Sequence, residues 1–291
     1  MTWNDLTPAE QEFYRSCKTC EMWRREGCRI IQAQTEDTGE TEPLYYPEAI
    51  SGEPRLREGG RKDVFFLGIN PGCSLRAGGD LSACPNRERD AGMSETEYAA
   101  RHLTWFNQPL ADRHSDAITS ASLWLLLSVG GPEPETLAPK VEFGTVPFSV
   151  AVDQGLLSHL VELNMAHCKC SKYTKRFGTK GPSRMTLACE DWTLSALSIW
   201  KPRSVVVMGG PQWFWLKKMV DGRGPHAGWR VDCEEHLPDC PDYGESTTLH
   251  WHDAQELTTE LIAAYHPSHP NRYTLHHART VADRVRETLN P

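Results

Sequence analysis

No stretch of eighteen consecutive apolar residues occurs in these 291 residues, which excludes a membrane-spanning helix on length alone. Residues Met1-Thr2-Trp3-Asn4-Asp5 lack the basic start and apolar core of a secretory signal. A soluble, cytoplasmic protein with no membrane partner is therefore expected. Positive charge is also in short supply. The net charge of −8 argues against a general nucleic-acid coat, although it does not exclude a local basic face. Internal repeats and low-complexity tracts are absent, which removes solenoids and fibrous arrays. With 39% hydrophobic residues, the chain can bury a substantial core as one large α/β domain or two smaller ones.

Cysteine is plentiful, and four of the ten stand out. Cys17-Lys18-Thr19-Cys20 is a C-x2-C pair, and Cys168 and Cys189 follow about 150 residues later. Thiolates gathered from opposite ends of a chain usually hold a metal or a cluster, because disulfides do not persist in a reducing compartment. All-sulfur ligation suits tetrahedral zinc or a [4Fe–4S] cluster. Spacing alone does not choose between them. Cys28 and Cys170 are close enough to compete as ligands, Cys233 and Cys240 read either as a second, local pair or as small buried residues, and Cys73 and Cys84 read best as small buried residues.

Alternating strands and helices organise the rest. Thr7-Pro8-Ala9-Glu10 combines a capping threonine, a proline at the first helical position and a glutamate three residues after the cap, so a helix should start there and carry Cys17. The continuous apolar run Val64–Gly68 reads as a strand buried on both faces. Similar strands are expected at Gly155–Met165, Ser204–Met208 and Glu260–Tyr265. Leu275, Ala278, Ala282, Val285 and Leu289 have helical spacing and close the fold. The expectation is a three-layer αβα domain over residues 1–291, with a central four-stranded, mainly parallel sheet. Residues 33–62 are polar, contain Gly and Pro, lack periodicity and read as a long connection.

Two motifs sit just beyond strand ends, where open α/β sheets carry their active sites. Gly68-Ile69-Asn70-Pro71-Gly72 makes a tight turn that brings backbone close to a ligand, and Asn70 offers an amide able to hold water. An ordinary strand-ending turn explains the pentapeptide alone equally well. His266-Pro267-Ser268 follows the strand ending Ala263-Ala264-Tyr265. A lone histidine is more often structural than catalytic, but this one precedes a proline-rich loop.

Taken in order, Cys17-x2-Cys20, Gly68–Gly72, Asn164-Met165-Ala166-His167-Cys168, Cys189, Pro202–Gly209 and His266-Pro267-Ser268 resemble the uracil-DNA glycosylase superfamily, in particular its iron–sulfur branch. Beside that resemblance, residues 29–62, about 73–120 and about 221–255 look like enlarged connections. The resemblance implies a monomeric, DNA-binding enzyme that flips a base out of DNA and hydrolyses its N-glycosidic bond. It further implies that Cys17, Cys20, Cys168 and Cys189 hold a [4Fe–4S] cluster. Asn164 would read the flipped base, His266 would stabilise the departing anionic base, and Trp105 or Phe106 would stack on it. Breaking the bond builds negative charge on the base, so donors aimed at its oxygen and a positioned water are what the chemistry needs. His266 and Asn70 are suited to those tasks. The loop carrying Ser268 and Arg272 would enter the groove. Lys169, Lys172, Lys175, Arg176, Lys180 and Arg184 read either as a DNA-facing basic surface or as a solvated loop.

One departure concerns the substrate. Gly-Ile-Asn-Pro-Gly resembles the mismatch-specific branch, with Ile69 and Asn70 where the iron–sulfur branch has an acidic residue. Cys73 follows where a larger residue usually stands near C5 of the base, and Trp105, Phe106 and Trp124 are expected near the pocket. The substrate is accordingly uracil or a C5-modified pyrimidine, such as hydroxymethylated or glucosylated cytosine in phage DNA. DNA repair and antiviral defence are the matching roles. A non-catalytic nucleic-acid-binding protein with a structural zinc is the alternative from another class, but it leaves Asn70 and His266 without a task.

Overall fold

A computed structural model of the chain describes residues 1–20, 49–55, 60–68, 93–104, 117–130, 146, 148–165, 189–223, 229–231, 243–267 and 271–290. In chain order the elements are helix α1 (Pro8–Lys18), strand β1 (Val64–Gly68), helices α2 (Glu95–Leu103), α3 (Ala117–Gly130) and α4 (Phe148–Asp153), and strand β2 (Glu162–Asn164). Helix α5 (Glu190–Trp200), strand β3 (Ser204–Met208), helix α6 (Gly210–Arg223), strands β4 (Trp229–Val231), β5 (Ser246–Trp251) and β6 (Thr258–Ala264), and helix α7 (Leu275–Leu289) complete the set. Contacts group the chain into two compact units. One comprises Met1–Ile50, Ile69–Leu103 and Asn164–Ile199, the other Ser51–Gly68, Thr104–Leu163 and Trp200–Pro291.

The fold is α/β. Its sheet has the order β2-β1-β3-β6-β5-β4, with β1–β3 and β3–β6 parallel and β6–β5 and β5–β4 antiparallel. Every residue of β1 and of β3 is buried, as unbroken apolar runs require when both faces of a parallel sheet are covered. Val64 and Phe66 of β1, Val206 and Met208 of β3, and Ile262 and Ala264 of β6 pack on one face against α3, α4 and α7. Phe65, Leu67, Val205, Val207, Leu261 and Ala263 alternate with them and are equally buried. Helix α6 packs against β3 and β6, and its buried Trp213, Leu216, Met219 and Val220 lie outside that first cluster.

The sheet therefore has six strands where four were expected. The added β4 and β5 lie inside 221–255, which was expected to be an enlarged connection because the family resemblance does not cover it. The run Gly155–Met165 also divides. Gly155 adopts φ +67° and starts a 3-10 turn over Leu156–Ser158, leaving only Glu162–Asn164 as strand. Strand β6 begins at Thr258, earlier than expected, because Thr258 and Thr259 pair with His250 and Leu249 of β5.

Side chains lock the amino ends of the central strands. Arg61 donates to the carbonyls of Lys201, Pro202 and Thr258, so one guanidinium holds the entries to β3 and β6 together. Thr259 Oγ1 accepts from Trp251 Nε1 at 3.0 Å and donates to Pro202 O at 2.6 Å. In the first unit, α1 begins as expected. Thr7 Oγ1 accepts from the Glu10 N–H at 3.4 Å, and Glu10 accepts from the Thr7 N–H at 2.6 Å.

Candidate active site

The cysteine group is built from two helix ends of the first unit. Cys17 lies in the last turn of α1 and is fully buried. Cys20 follows the helix end and its N–H donates to Cys17 O at 3.4 Å, which folds the C-x2-C pair into one turn. Cys189 immediately precedes α5, and its carbonyl accepts from the N–H groups of Trp192 and Thr193 at 3.1 and 3.2 Å. A thiolate there benefits from the positive end of the helix dipole. None of the three is joined in a disulfide.

Burial pushes the Cys17 thiol well up, and Cys20 and then Cys189 add to the shift. The two cysteines that lie far apart in sequence thus act electrostatically on one another. Thr193 is buried one helical turn beyond Cys189, and its Oγ1 has no hydrogen-bond partner among the described residues. An all-sulfur donor set suits a soft metal ion or an iron–sulfur cluster. Among the described residues no three His, Cys, Asp or Glu side chains stand close enough together to hold a single metal ion. Cys168, the expected fourth ligand, lies outside the described residues.

The second unit brings three strand ends to one edge. Leu67 pairs with Val207, and Val207 with Ala263, so β1, β3 and β6 finish side by side. Adjacent strands stand about 4.8 Å apart, which separates the exits of β1 and β6 by about 10 Å. Gly68 is buried at the end of β1, and His266 is half-buried two residues past the end of β6.

Strand β3 exits between them through Gly209, at φ +121°. The Gly209 N–H donates to Ala264 O at 2.7 Å, which ties this turn to β6. A Cβ at Gly209 would lie 2.5 Å from Gln212 Oε1. Gln212 is buried and that oxygen has no hydrogen-bond partner among the described residues.

Aromatic rings extend this edge. The Tyr265 ring stacks on that of Tyr243, with centroids 3.8 Å apart and planes 22° off parallel. The Arg272 guanidinium lies 5.8 Å from the Tyr265 ring centroid. His277 on α7 accepts the Tyr265 backbone N–H at Nε2, 3.0 Å away. Burial lowers its pKa to about 4, with His276 adding. The neutral ring therefore carries its proton on Nδ1. This bond anchors the residue just before His266.

Of the residues singled out in the sequence, Cys17 and Cys20 share one turn and Cys189 acts on the Cys17 thiol, although the three do not close into a metal-holding group. The exits carrying Gly68 and His266 leave one edge. Arg272 is exposed beside Tyr265. Asn164 is half-buried at the end of β2. Ile69, Asn70, Cys73, Trp105, Phe106, Lys169, Lys172 and Ser268 lie outside the described residues. Trp124, expected near the pocket, is instead a core residue of α3. Sequence reasoning passed over Gln212, Tyr243 and His277 and gave Gly209 no role beyond its place in the Pro202–Gly209 segment, although Met208-Gly209-Gly210-Pro211 repeats the strand-then-glycine-and-proline pattern of Gly68–Gly72. A cavity of about 320 Å³ lined by His250, Trp251, His252 and Gln255 opens beyond the far end of β5, near the amino end of β6. Compared with known proteins, the chain matches no family model and no curated sequence.

Proposed function

We propose that the chain is a monofunctional DNA glycosylase acting on uracil or a C5-modified pyrimidine. One observation carries the reading: the segment holding Gly68 and the segment holding His266 leave the same carboxyl edge, flanking the exit of β3. Catalytic groups of open α/β sheets gather at that edge. The target base is first extruded from the duplex. His266 donates a hydrogen bond to the base oxygen while Asn70 orients water. The water oxygen bonds to C1′ of the sugar, and the electron pair of the breaking C–N bond leaves on the base. The released base then takes up the water proton. Asn164 supplies the carboxamide that reads the base edge.

Cys17, Cys20, Cys168 and Cys189 would hold the [4Fe–4S] cluster, whose contribution is to cross-link distant segments of the chain. His266 keeps its place through the backbone of Tyr265 and its bond to His277. Antiviral defence follows if the base is a modified cytosine, and DNA repair follows if it is uracil.

The test is incubation with oligonucleotides carrying uracil, 5-hydroxymethyluracil, 5-hydroxymethylcytosine or its glucosylated form, followed by alkaline cleavage of abasic sites. One of them is cleaved by the wild-type protein. In single turnover His266→Ala slows base release by roughly a hundredfold or more, as expected when a donor to a developing anion is lost, with DNA binding little changed. No cleavage of any oligonucleotide, or a full rate for His266→Ala, overturns the assignment.

A further inference from the structure

Aromatic rings with a cation at each end extend from the carboxyl edge of β3 and β6 onto α6. Arg272 lies over Tyr265, and Tyr265 stacks on Tyr243. Tyr243 is carried to this edge by the turn before β5, where the Gly244 N–H donates to Ala263 O at 2.8 Å. The Tyr243 hydroxyl reaches the start of α6, since a Cβ at Gly210 would lie 2.8 Å from it. One turn further along α6, Phe214 meets Trp215 edge to face at 5.2 Å. Lys218 Nζ lies 4.9 and 5.0 Å from their two ring centroids.

Phe214 is 46% exposed, the exposed large hydrophobic side chain of the described residues. Trp215, Tyr243 and Tyr265 are half-exposed. Neither Arg272 nor Lys218 forms an ion pair among the described residues, whereas the neighbouring Lys217 is neutralised by Asp221.

We propose that Arg272, Tyr265, Tyr243, Phe214, Trp215 and Lys218 form a track for unpaired nucleotides running beside His266. Tyr265 and Tyr243 already stack on one another, so Phe214, the most exposed of these rings, is the one that takes a base by stacking, which tolerates any sequence because every base has a π face. Bases within a duplex have those faces covered, so the track selects single strands. The cations at its two ends neutralise phosphates, which an apolar protein partner does not need. The relation of the track to chemistry at His266 rests on the glycosylase reading, but its occupancy does not.

The experiment measures fluorescence anisotropy of the full chain with a labelled thymidine oligonucleotide and with an unmodified duplex, across a salt series. Phe214→Ala weakens single-strand binding about tenfold, as the loss of one stacked base predicts, while Phe214→Trp retains it and duplex binding is unchanged. Lys218→Gln makes the salt dependence shallower by about one released ion. Because both positions are exposed, thermal melts of these variants match the wild type. The proposal is overturned if Phe214→Ala and Lys218→Gln bind the single strand like wild type, or if Phe214→Ala changes only the oligomeric state. Base release is followed in parallel. A chain that releases no base yet loses single-strand affinity in Phe214→Ala overturns the glycosylase reading and supports the track. Release that persists with single-strand binding insensitive to Phe214→Ala does the reverse.

Discussion

Tyr265 hands its backbone N–H to His277 Nε2, so a neutral histidine is part of the native fold. The ring sits among Tyr243, Tyr265 and Tyr273, and the neighbouring charge it senses is His276. His277→Ala leaves a buried donor unsatisfied. Its expected cost is about 1–3 kcal/mol, measured by urea unfolding; if the chain releases bases as proposed, that rate falls as well because His266 loses its anchor. The depressed pKa also sets a pH dependence. The unfolded histidine takes up its proton near 6.5, whereas the native one resists until about 4. Stability from this residue is complete above about 6.5 and falls as pH drops toward 4, because the unfolded state binds the proton first. Urea midpoints measured between neutral pH and pH 4 should decline more steeply in wild type than in His277→Gln. Equal slopes would remove His277 from the acid response.

At the scale of elements, the exit of β3 depends on a residue without a side chain. Gly209 combines φ +121°, which strains any residue with a Cβ, with the side-chain amide of Gln212 2.5 Å from where a Cβ would stand. Gly209→Ala is therefore expected to destabilise the protein by about 1–3 kcal/mol and to displace Gln212, read as a lowered urea midpoint; an unchanged midpoint would mean the turn relaxes freely. Helix α6 shows which parts of the track were legible. Trp213, Leu216, Met219 and Val220 have the spacing of one buried stripe, and Phe214 and Trp215 fall beside it. Large rings outside the buried stripe were the available signal. Tyr243 carried no such signal, because its position comes from the pairing of β5 with β6. Strands β4 and β5 were hidden for a related reason: Ser246-Thr247-Thr248-Leu249-His250-Trp251 lacks clean alternation, and pairing with β6 decides its conformation.

Across the whole molecule, distant segments must be held for either candidate centre to exist. If Cys17, Cys20, Cys168 and Cys189 share one cluster, its binding energy is also folding energy. Cys168→Ser and Cys189→Ser should then lower both iron content and soluble yield, measured by metal analysis of purified protein, while Cys170→Ser leaves both unchanged. A loss confined to Cys170→Ser would reassign the third ligand.

The sequence by itself determined what short-range physics controls. The capping box set the start of α1, continuous apolar runs set β1 and β3, and a helical stripe set α7. The α/β class followed from their alternation. The tertiary structure alone decided how far-apart segments meet. It drew Cys189 toward Cys17 and Cys20, buried Trp124 in the core, and added an antiparallel pair of strands to the sheet. It also set His277 under Tyr265 and aligned Tyr243 with Tyr265. Local patterns report the conformation that nearby atoms favour, whereas contacts between remote residues depend on which surfaces remain to be buried once those elements pack.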